Sequence, residues 1–414
     1  MKIALLGFGT VASGVAKLIE TNKELIKKRL GKDIEISLVY SRTHKNNCPY
    51  KQTNNFEDVL NSDVDVVCEL MGGTTFAYEC IKQALAKDKH VITANKALLA
   101  YYRYDIEKML KPNQYFGYEA SVAGGVPIIK IIKEGLSANK FNCIKGILNG
   151  TSNYILTKMQ NEGISYEIAL KQAQELGYAE ANPSLDINGM DAAHKLTILA
   201  SLAYGINVKP EDILVQGIDK ISNDDFYFAK EFEFGIKLLA IAKQNEDKVE
   251  IRVHPTLIDK NHILASVNNS MNAILLNDNA LGESLYYGAG AGSLETASAV
   301  LSDLMQIADN KTRKMLGYNE LPKVNLVSIN DISSKYYLRL CVDDKIGVLN
   351  KITSLMSNNE ISIDSLMQRP SKNQTRTIFI TTHIANEAKI TKLLSELQTQ
   401  EFVKGEINLI RIEE

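Results

Sequence analysis

Over roughly the first 120 residues, short apolar runs alternate with amphipathic stretches. The runs KIALL, IEISLVY, VDVVCEL, HVITA and QYFGYE are rich in Val, Ile and aromatic residues, the pattern of strands buried on both faces. Between them, TVASGVAKLIETNKELIKKRL and FAYECIKQALAKDK carry apolar residues at helical spacing. Repeated strand–helix–strand units predict a parallel sheet with helices on both faces. From about 128 to 309 the order changes. Helices are predicted at TSNYILTKMQNEG, SYEIALKQAQELG and GMDAAHKLTILASLAYG, followed by alternating strands such as KVEIRVHPTLI and HILASVN. That segregation predicts an α+β domain on a mostly antiparallel sheet. The periodic segment SLETASAVLSDLMQIAD is expected to return and pack on the first domain. A polar connector, NKTRKMLGYNELPKVNLVSINDIS, leads into strand, helix, two strands, helix and strand, a βαββαβ unit of ferredoxin-like type.

A chain of 414 residues exceeds one hydrophobic core, which agrees with several domains. The expected layout is 1–127 with about 293–320, then 128–292, a linker at 321–333, and 334–414. A net charge of −2 gives no footprint for nucleic acid or an anionic membrane, so neither partner is expected. The five cysteines have no C-x-x-C spacing and read as reduced thiols. The N-terminus opens directly on a strand, and no apolar run reaches the ~18–20 residues that span a bilayer. A cytoplasmic protein is the expectation.

Gly7, Gly9 and Ala12 in LLGFGTVASGV form G-x-G-x-x-A directly after the first strand. The first glycine permits a tight turn and the second a close backbone approach to a pyrophosphate. The small third residue lets the helix pack near its strand. The N–H groups of Thr10 and Val11 are then expected to face an anion at a helix N-terminus. The first domain thus reads as a Rossmann-type nucleotide domain. The second strand ends in Ser41 and Arg42, with Lys45 beyond, where an NAD-binding fold carries an acid for the ribose. NADP is favoured and NAD remains open; a solvated arginine is the plainer alternative for Arg42.

The stretch GYAEANPSLDINGMDAAHKL gathers Glu180, Asp186, Asp191 and Lys195. Asp191 and Lys195 are i,i+4 and share a helix face. Alone they read equally as a surface ion pair, although Ile187 and Met190 argue against full exposure. His194 points about 100° away from Lys195 and reads as a packing residue. Asn95 and Lys96 lie at the C-terminal end of a parallel strand, where such folds bind ligands. SVAGGVP by itself is a tight turn before a helix starting near Pro127.

Taken in order, GFGTVA, VITANKALLA, YEASVAGGVPI, GILNGTSNYILTKM, the acidic stretch and GAGAGSLETASAV resemble homoserine dehydrogenase, from residue 1 to about 310. With no kinase domain ahead of it, the chain resembles the monofunctional form. The resemblance implies NAD(P)H-dependent interconversion of L-aspartate 4-semialdehyde and L-homoserine, on the route to threonine and methionine. It implies that 128–292 is a substrate-binding and dimerisation domain. Lys195 matches the proposed acid/base, suitable if burial or a neighbouring cation lowers its pKa, and Lys96 a second lysine near the nicotinamide. Gly177, Glu180, Asp186 and Asp191 match substrate-holding positions. Glu119 with the carbonyls of Val122, Gly124 and Val126 matches a structural Na+ or K+ site, and Gly292 a return loop near the cofactor.

VDDKIGVLNKIT resembles the D-x-P-G-V-L turn of ACT domains, keeping Asp344, Gly347 and Leu349 with Ile346 in place of proline. This implies a threonine effector, and a dimer or tetramer through module sheets. Two other departures are Asn182, where an acid is usual, and Glu295, where a proline is usual. The rivals are an oxidoreductase of another amino-acid aldehyde and a catalytically silent amino-acid sensor. Retention of Lys96 and Lys195 disfavours the sensor.

Overall fold

The computed structural model describes residues 1–309, 313–370 and 374–413, so positions 310–312 of the predicted connector lie outside the described residues. The chain forms two compact units, the first made of 1–150, 191–212 and 271–324, the second of 151–190, 213–270 and 325–414. Elements are numbered along the whole chain.

In the first unit, β1 (Lys2–Leu6), β2 (Glu35–Tyr40), β3 (Gln52–Thr53), β4 (Val66–Glu69), β5 (His90–Thr93) and β6 (Phe116–Gly117) build one sheet. Its order is β3-β2-β1-β4-β5-β6 and every pairing is parallel. This is the expected Rossmann arrangement, with the chain crossing over after β3. The helices are α1 (Thr10–Thr21), α2 (Lys23–Leu30), α3 (Phe56–Leu60), α4 (Thr75–Ala86) and α5 (Lys96–Met109). The single helix expected after β1 is two, because the chain breaks at Asn22, which leaves helical geometry at ψ 15°. QYFGYE keeps only two paired residues before Glu119–Ser121 closes into a 3-10 turn.

After α6 (Ile128–Lys130) and a π turn at Ile131–Gly135, β7 (Phe141–Ile147) pairs antiparallel with β11 (Met271–Asp278), and β11 with β12 (Gly282–Ala289). Two more helices complete the unit, α10 (Met190–Tyr204) and α12 (Ser293–Ala308). As expected, α12 packs back on the nucleotide sheet: Ala297, Val300 and Leu304 join a core with Ile3, Leu5, Ala12 and Val15. A Cβ at Gly14 would collide with the Ser293 carbonyl, so this close approach of α1 to α12 needs glycine.

The second unit holds α7 (Gly150–Glu162, all but its first residue), α8 (Tyr166–Glu175), α9 (Ser184–Ile187) and α11 (Asn223–Glu231). Its long hairpin, β9 (Phe234–Asn245) and β10 (Lys248–Asp259), is buried along most of its length. HILASVN is no strand: Ile263–Ser266 is a 3-10 turn, and His262 caps it by accepting the Leu264 N–H. The free edge of β10 is covered in succession by three short parallel partners. These are β13 (Asn325–Leu326) at Lys248–Val249, β8 (Leu214–Val215) at Arg252–Val253, and β18 (Asn408–Glu413) at Thr256–Ile258. The predicted linker thus contributes a strand of its own.

The C-terminal module comprises β14 (Ser333–Asp343), α13 (Val348–Asn358), β15 (Ile363–Pro370), β16 (Thr375–Thr382), the short β17 (Ala385–Asn386), α14 (Glu387–Gln398) and β18. Strand order β18-β14-β16-β15 is that of a βαββαβ module, with α13 and α14 packed over Leu338, Leu340, Ile378 and Ile380. On the other face, the fully buried Asp225 of α11 accepts from Tyr337 (2.7 Å), Arg339 (2.8 Å) and Asn408 (3.0 Å). Among the described residues, no helix is long and apolar enough to cross a membrane.

Candidate functional site

At the carboxyl end of β1, Gly7 has φ +92°, and a Cβ there would press on the Leu70 carbonyl at 3.1 Å. Helix α1 starts with no side-chain cap at Gly9 and no acid in its first turn. Its leading N–H groups, at Thr10 and Val11, are thus set for an anion rather than occupied by the protein. The loop before α12 reaches the same place: Gly292 (φ +135°) precedes Ser293, whose hydroxyl donates to the Thr10 carbonyl at 2.7 Å. Arg42 lies over the Phe76 ring, 5.1 Å from its centroid, so its guanidinium is held against an aromatic face beyond β2. These residues gather at the carboxyl ends of the parallel strands, where such a fold receives a dinucleotide.

The buried Glu69, at the end of β4, organises the neighbouring loop. It accepts from Met71 N (2.9 Å), Gly72 N (3.3 Å) and the Thr93 hydroxyl (2.6 Å). Asn95 caps α5 by accepting from Leu98 N and ties itself to the Gly73 carbonyl at 2.6 Å. The Asn95 side chain thereby aims α5, whose first residue is Lys96.

Lys96 Nζ lies 3.1 Å from Asp191 Oδ1, and Lys195 Nζ donates to Asp191 Oδ2 at 2.7 Å and to the Leu148 carbonyl at 2.5 Å. The i,i+4 pair is therefore not a surface pair: Asp191 and Lys195 are 7% and 8% exposed. One carboxylate bridges two ammonium groups. Burial alone would raise the Asp191 pKa. The charges of Lys195 and Lys96, with hydrogen bonds from Lys195 and Asn149, outweigh it and hold the carboxyl well below the ordinary carboxylate range. His194 is buried with its ring edge-on to Tyr101, and burial lowers its pKa. It packs, as expected.

Glu119 is also buried, and its two oxygens accept from Ile129 N (3.0 Å) and Lys130 N (2.9 Å). Burial first, then the charge of Asp303, pushes its pKa up to about 7 against the pull of Lys130 and the two backbone bonds. Val122 and Gly124 flank Ala123, where φ is +51° and the backbone reverses, and the Val126 carbonyl takes the Ile128 N–H at 2.8 Å. Among the described residues no three His, Cys, Asp or Glu side chains are arranged to hold a metal, so a cation here would depend on Glu119 and carbonyls. Lys130, 3.1 Å from Asp303, already brings one positive charge to this pair of acids.

In the second unit, Gly177 (φ +76°) and Glu180 are exposed and Asp186 is half-buried on α9. Asn182 is exposed, and its carbonyl oxygen accepts from Ser184 at the entry to α9.

The profile of the homoserine dehydrogenase catalytic domain matches residues 127–305, and that of the homoserine dehydrogenase NAD-binding domain matches 7–114. The chain belongs to the homoserine dehydrogenase family. The ACT domain profile matches 336–402. A homoserine dehydrogenase of Helicobacter pylori is 47% identical over all of this chain and 99% of its own length. The crystal structure of a homoserine dehydrogenase from Thiobacillus denitrificans covers all of this chain and 98% of its own, with TM-score 0.94 and 38% identity. A hyperthermophilic archaeal homoserine dehydrogenase in complex with NADPH covers 76% of this chain and 99% of its own, with TM-score 0.65 and 26% identity.

Within this chain the departures from the family's usual residues have local roles. Asn182 serves a turn. Glu295 sits in the first turn of α12 with its carboxylate against Gly292. Ile346 is fully exposed beside Gly347, whose φ of +88° starts α13. Sequence reasoning missed Glu69, Arg103, Leu148, Asn149 and Asp303. Leu148 and Asn149 had a signal, since both lie inside the GILNGTSNYILTKM segment.

Proposed function

We propose that the protein interconverts L-aspartate 4-semialdehyde and L-homoserine, on the route to threonine and methionine, with NADP(H) as its coenzyme and NAD(H) as a poorer substitute. The observation that carries this reading is the Lys96–Asp191–Lys195 bridge, with Asp191 and Lys195 buried, in a chain of this family. A nicotinamide dinucleotide bound here would supply the hydride chemistry at the carbon of the aldehyde or alcohol. As an aldehyde gains hydride, charge builds on its oxygen, and a donor beside that oxygen lowers the barrier. Lys195 gives that oxygen its proton in reduction and takes it back in oxidation. Lys96 adds a second positive charge, and Asp191 lets two ammonium groups share one site against their repulsion. Gly177, Glu180, Asp186 and Asp191 hold the substrate's polar groups, the carboxylates taking its ammonium.

For the coenzyme, Gly7, Gly9, Thr10, Val11 and Gly292 receive the pyrophosphate, and Arg42 on Phe76 takes a 2′-phosphate where an acid is lacking. The archaeal relative bound to NADPH supports that choice. Asn95 and Lys96, at the start of α5, contact the coenzyme. Glu119, Val122, Gly124 and Val126 hold a structural Na+ or K+. The ACT module takes threonine at the Gly347 turn, and the protein acts in the cytoplasm as a dimer or tetramer.

The test is steady-state NADPH oxidation with aspartate semialdehyde, with and without threonine. Wild-type turnover is expected, and Lys195→Ala should lower kcat by at least about 100-fold while NADPH still binds. Turnover near wild type in Lys195→Ala would overturn the role of that lysine.

A further inference from the structure

We propose that Asn149 is a positioning residue for proton transfer: its amide fixes the Asp191 carboxylate and thereby the place of the Lys195 ammonium. The inference rests on the reading of Lys195 as proton donor and adds a residue to it.

Leu148 and Asn149 are consecutive, in the two-residue step between β7 and α7. The first takes Lys195 Nζ on its carbonyl at 2.5 Å, and the second donates from Nδ2 to Asp191 Oδ2 at 2.9 Å. That is the same oxygen that accepts from Lys195 at 2.7 Å. Two adjacent residues therefore grip both members of the pair. Asp191 Oδ1 is turned to Lys96 at 3.1 Å, so both carboxylate oxygens have an assigned direction.

The terminal torsion of an aspartate is broad, and two lysines on flexible stems do not fix it by themselves. An amide does, because it is short and planar. Asn149 is 5% exposed, so its bond to the buried carboxylate is made away from water, where it is stronger. The amide can face a carboxylate only through its N–H, which sets its orientation by chemistry. It also adds no charge. Two ammonium groups and one carboxylate leave the bridge with one net positive charge beside the reacting oxygen. A second carboxylate would cancel it.

The experiment compares Asn149→Ala, Asn149→Asp and Lys195→Ala in the full chain, after thermal melts. It measures kcat and KM for semialdehyde, NADPH affinity by fluorescence, the solvent deuterium isotope effect and the pH profile. Asn149→Ala is expected to lower kcat about 10- to 100-fold with KM and NADPH affinity within about threefold. Its isotope effect should rise as proton transfer becomes limiting. Asn149→Asp should be poorer still at high pH and recover as pH falls, because the protonated carboxyl regains an O–H donor in the same place. A merely structural role predicts no such recovery. Wild-type kcat in Asn149→Ala, or the same pH profile in Asn149→Asp as in wild type, would overturn the inference. If Asn149→Ala does not fold, the Asn149→Asp profile decides alone. Lys195→Ala separates the two ideas: if it retains turnover, the proton-donor reading fails whatever Asn149 does.

Discussion

At the carboxyl end of β2, Arg42 is exposed yet held over Phe76, so an anion meeting it finds a guanidinium already aimed. A charge-assisted bond of this kind contributes about 1.5–3 kcal/mol, or about 10- to 100-fold in an equilibrium constant. Arg42→Ala should lower kcat/KM with NADPH by that factor and leave NADH nearly unchanged; an equal loss with both coenzymes would assign Arg42 another role. Glu119 yields a prediction about pH. Its carboxyl titrates near 7 in the fold against 4.5 ordinarily, so between those values the folded chain holds the extra proton. Stability should therefore fall as pH rises from 4.5 to about 7 and level off above. Melting temperatures should show that fall, and Glu119→Gln should remove it. NaCl or KCl should flatten it relative to choline chloride at matched ionic strength. How much of the site could be read varied with distance along the chain. Asp191 and Lys195 are four positions apart, and their shared face was legible. Their burial and the Lys96 bridge were not, because Lys96 is remote in sequence and only tertiary packing brings it to Asp191.

Among the elements, α5 and α10 matter most, since each carries one of the lysines. They are joined by Arg103, 1% exposed, which donates to Ser201 Oγ (2.6 Å) and to the carbonyls of Val208 (2.7 Å), Leu99 (3.3 Å) and Ala100. No carboxylate answers it among those partners, and burial lowers its pKa to about 10. Arg103→Ala would strand those acceptors and open a cavity. We expect a loss of about 3 kcal/mol by urea unfolding, and a fall in kcat larger than any change in coenzyme affinity. An unchanged kcat would mean that α5 and α10 hold their lysines without this tie. Hydrophobic spacing located α10 and the strands β1, β2, β4, β5 and β10, but not α5 or the strands β7, β9, β11 and β12. It failed at HILASVN, where two-residue alternation is imitated by a capped 3-10 turn, and at Asn22, where a short break hides inside an unbroken helical pattern.

On the scale of the whole molecule, the C-terminal module reads from sequence as an appendage, and composition gives no hint otherwise. Within the second unit it is part of the main sheet. β18 pairs with both β10 and β14, and Arg252 of β10 meets Glu413 of β18 at 2.8 Å in the interior. Ending the chain after Ile332 would bare the β10 edge at Thr256–Ile258 and remove that carboxylate. Exposed, long, apolar edges promote association. The truncated protein should be largely insoluble or aggregated by size-exclusion chromatography, and a soluble, active product would show that the edge is closed in another way. The relay of three short strands along β10 also has a consequence in time. During synthesis β8 is made before β10 and β13 soon after, and Glu250 is at hand for Arg252 at once. Glu413 follows only after 161 more residues. A ribosome can thus display most of the second unit while the far end of its longest hairpin still waits for a partner.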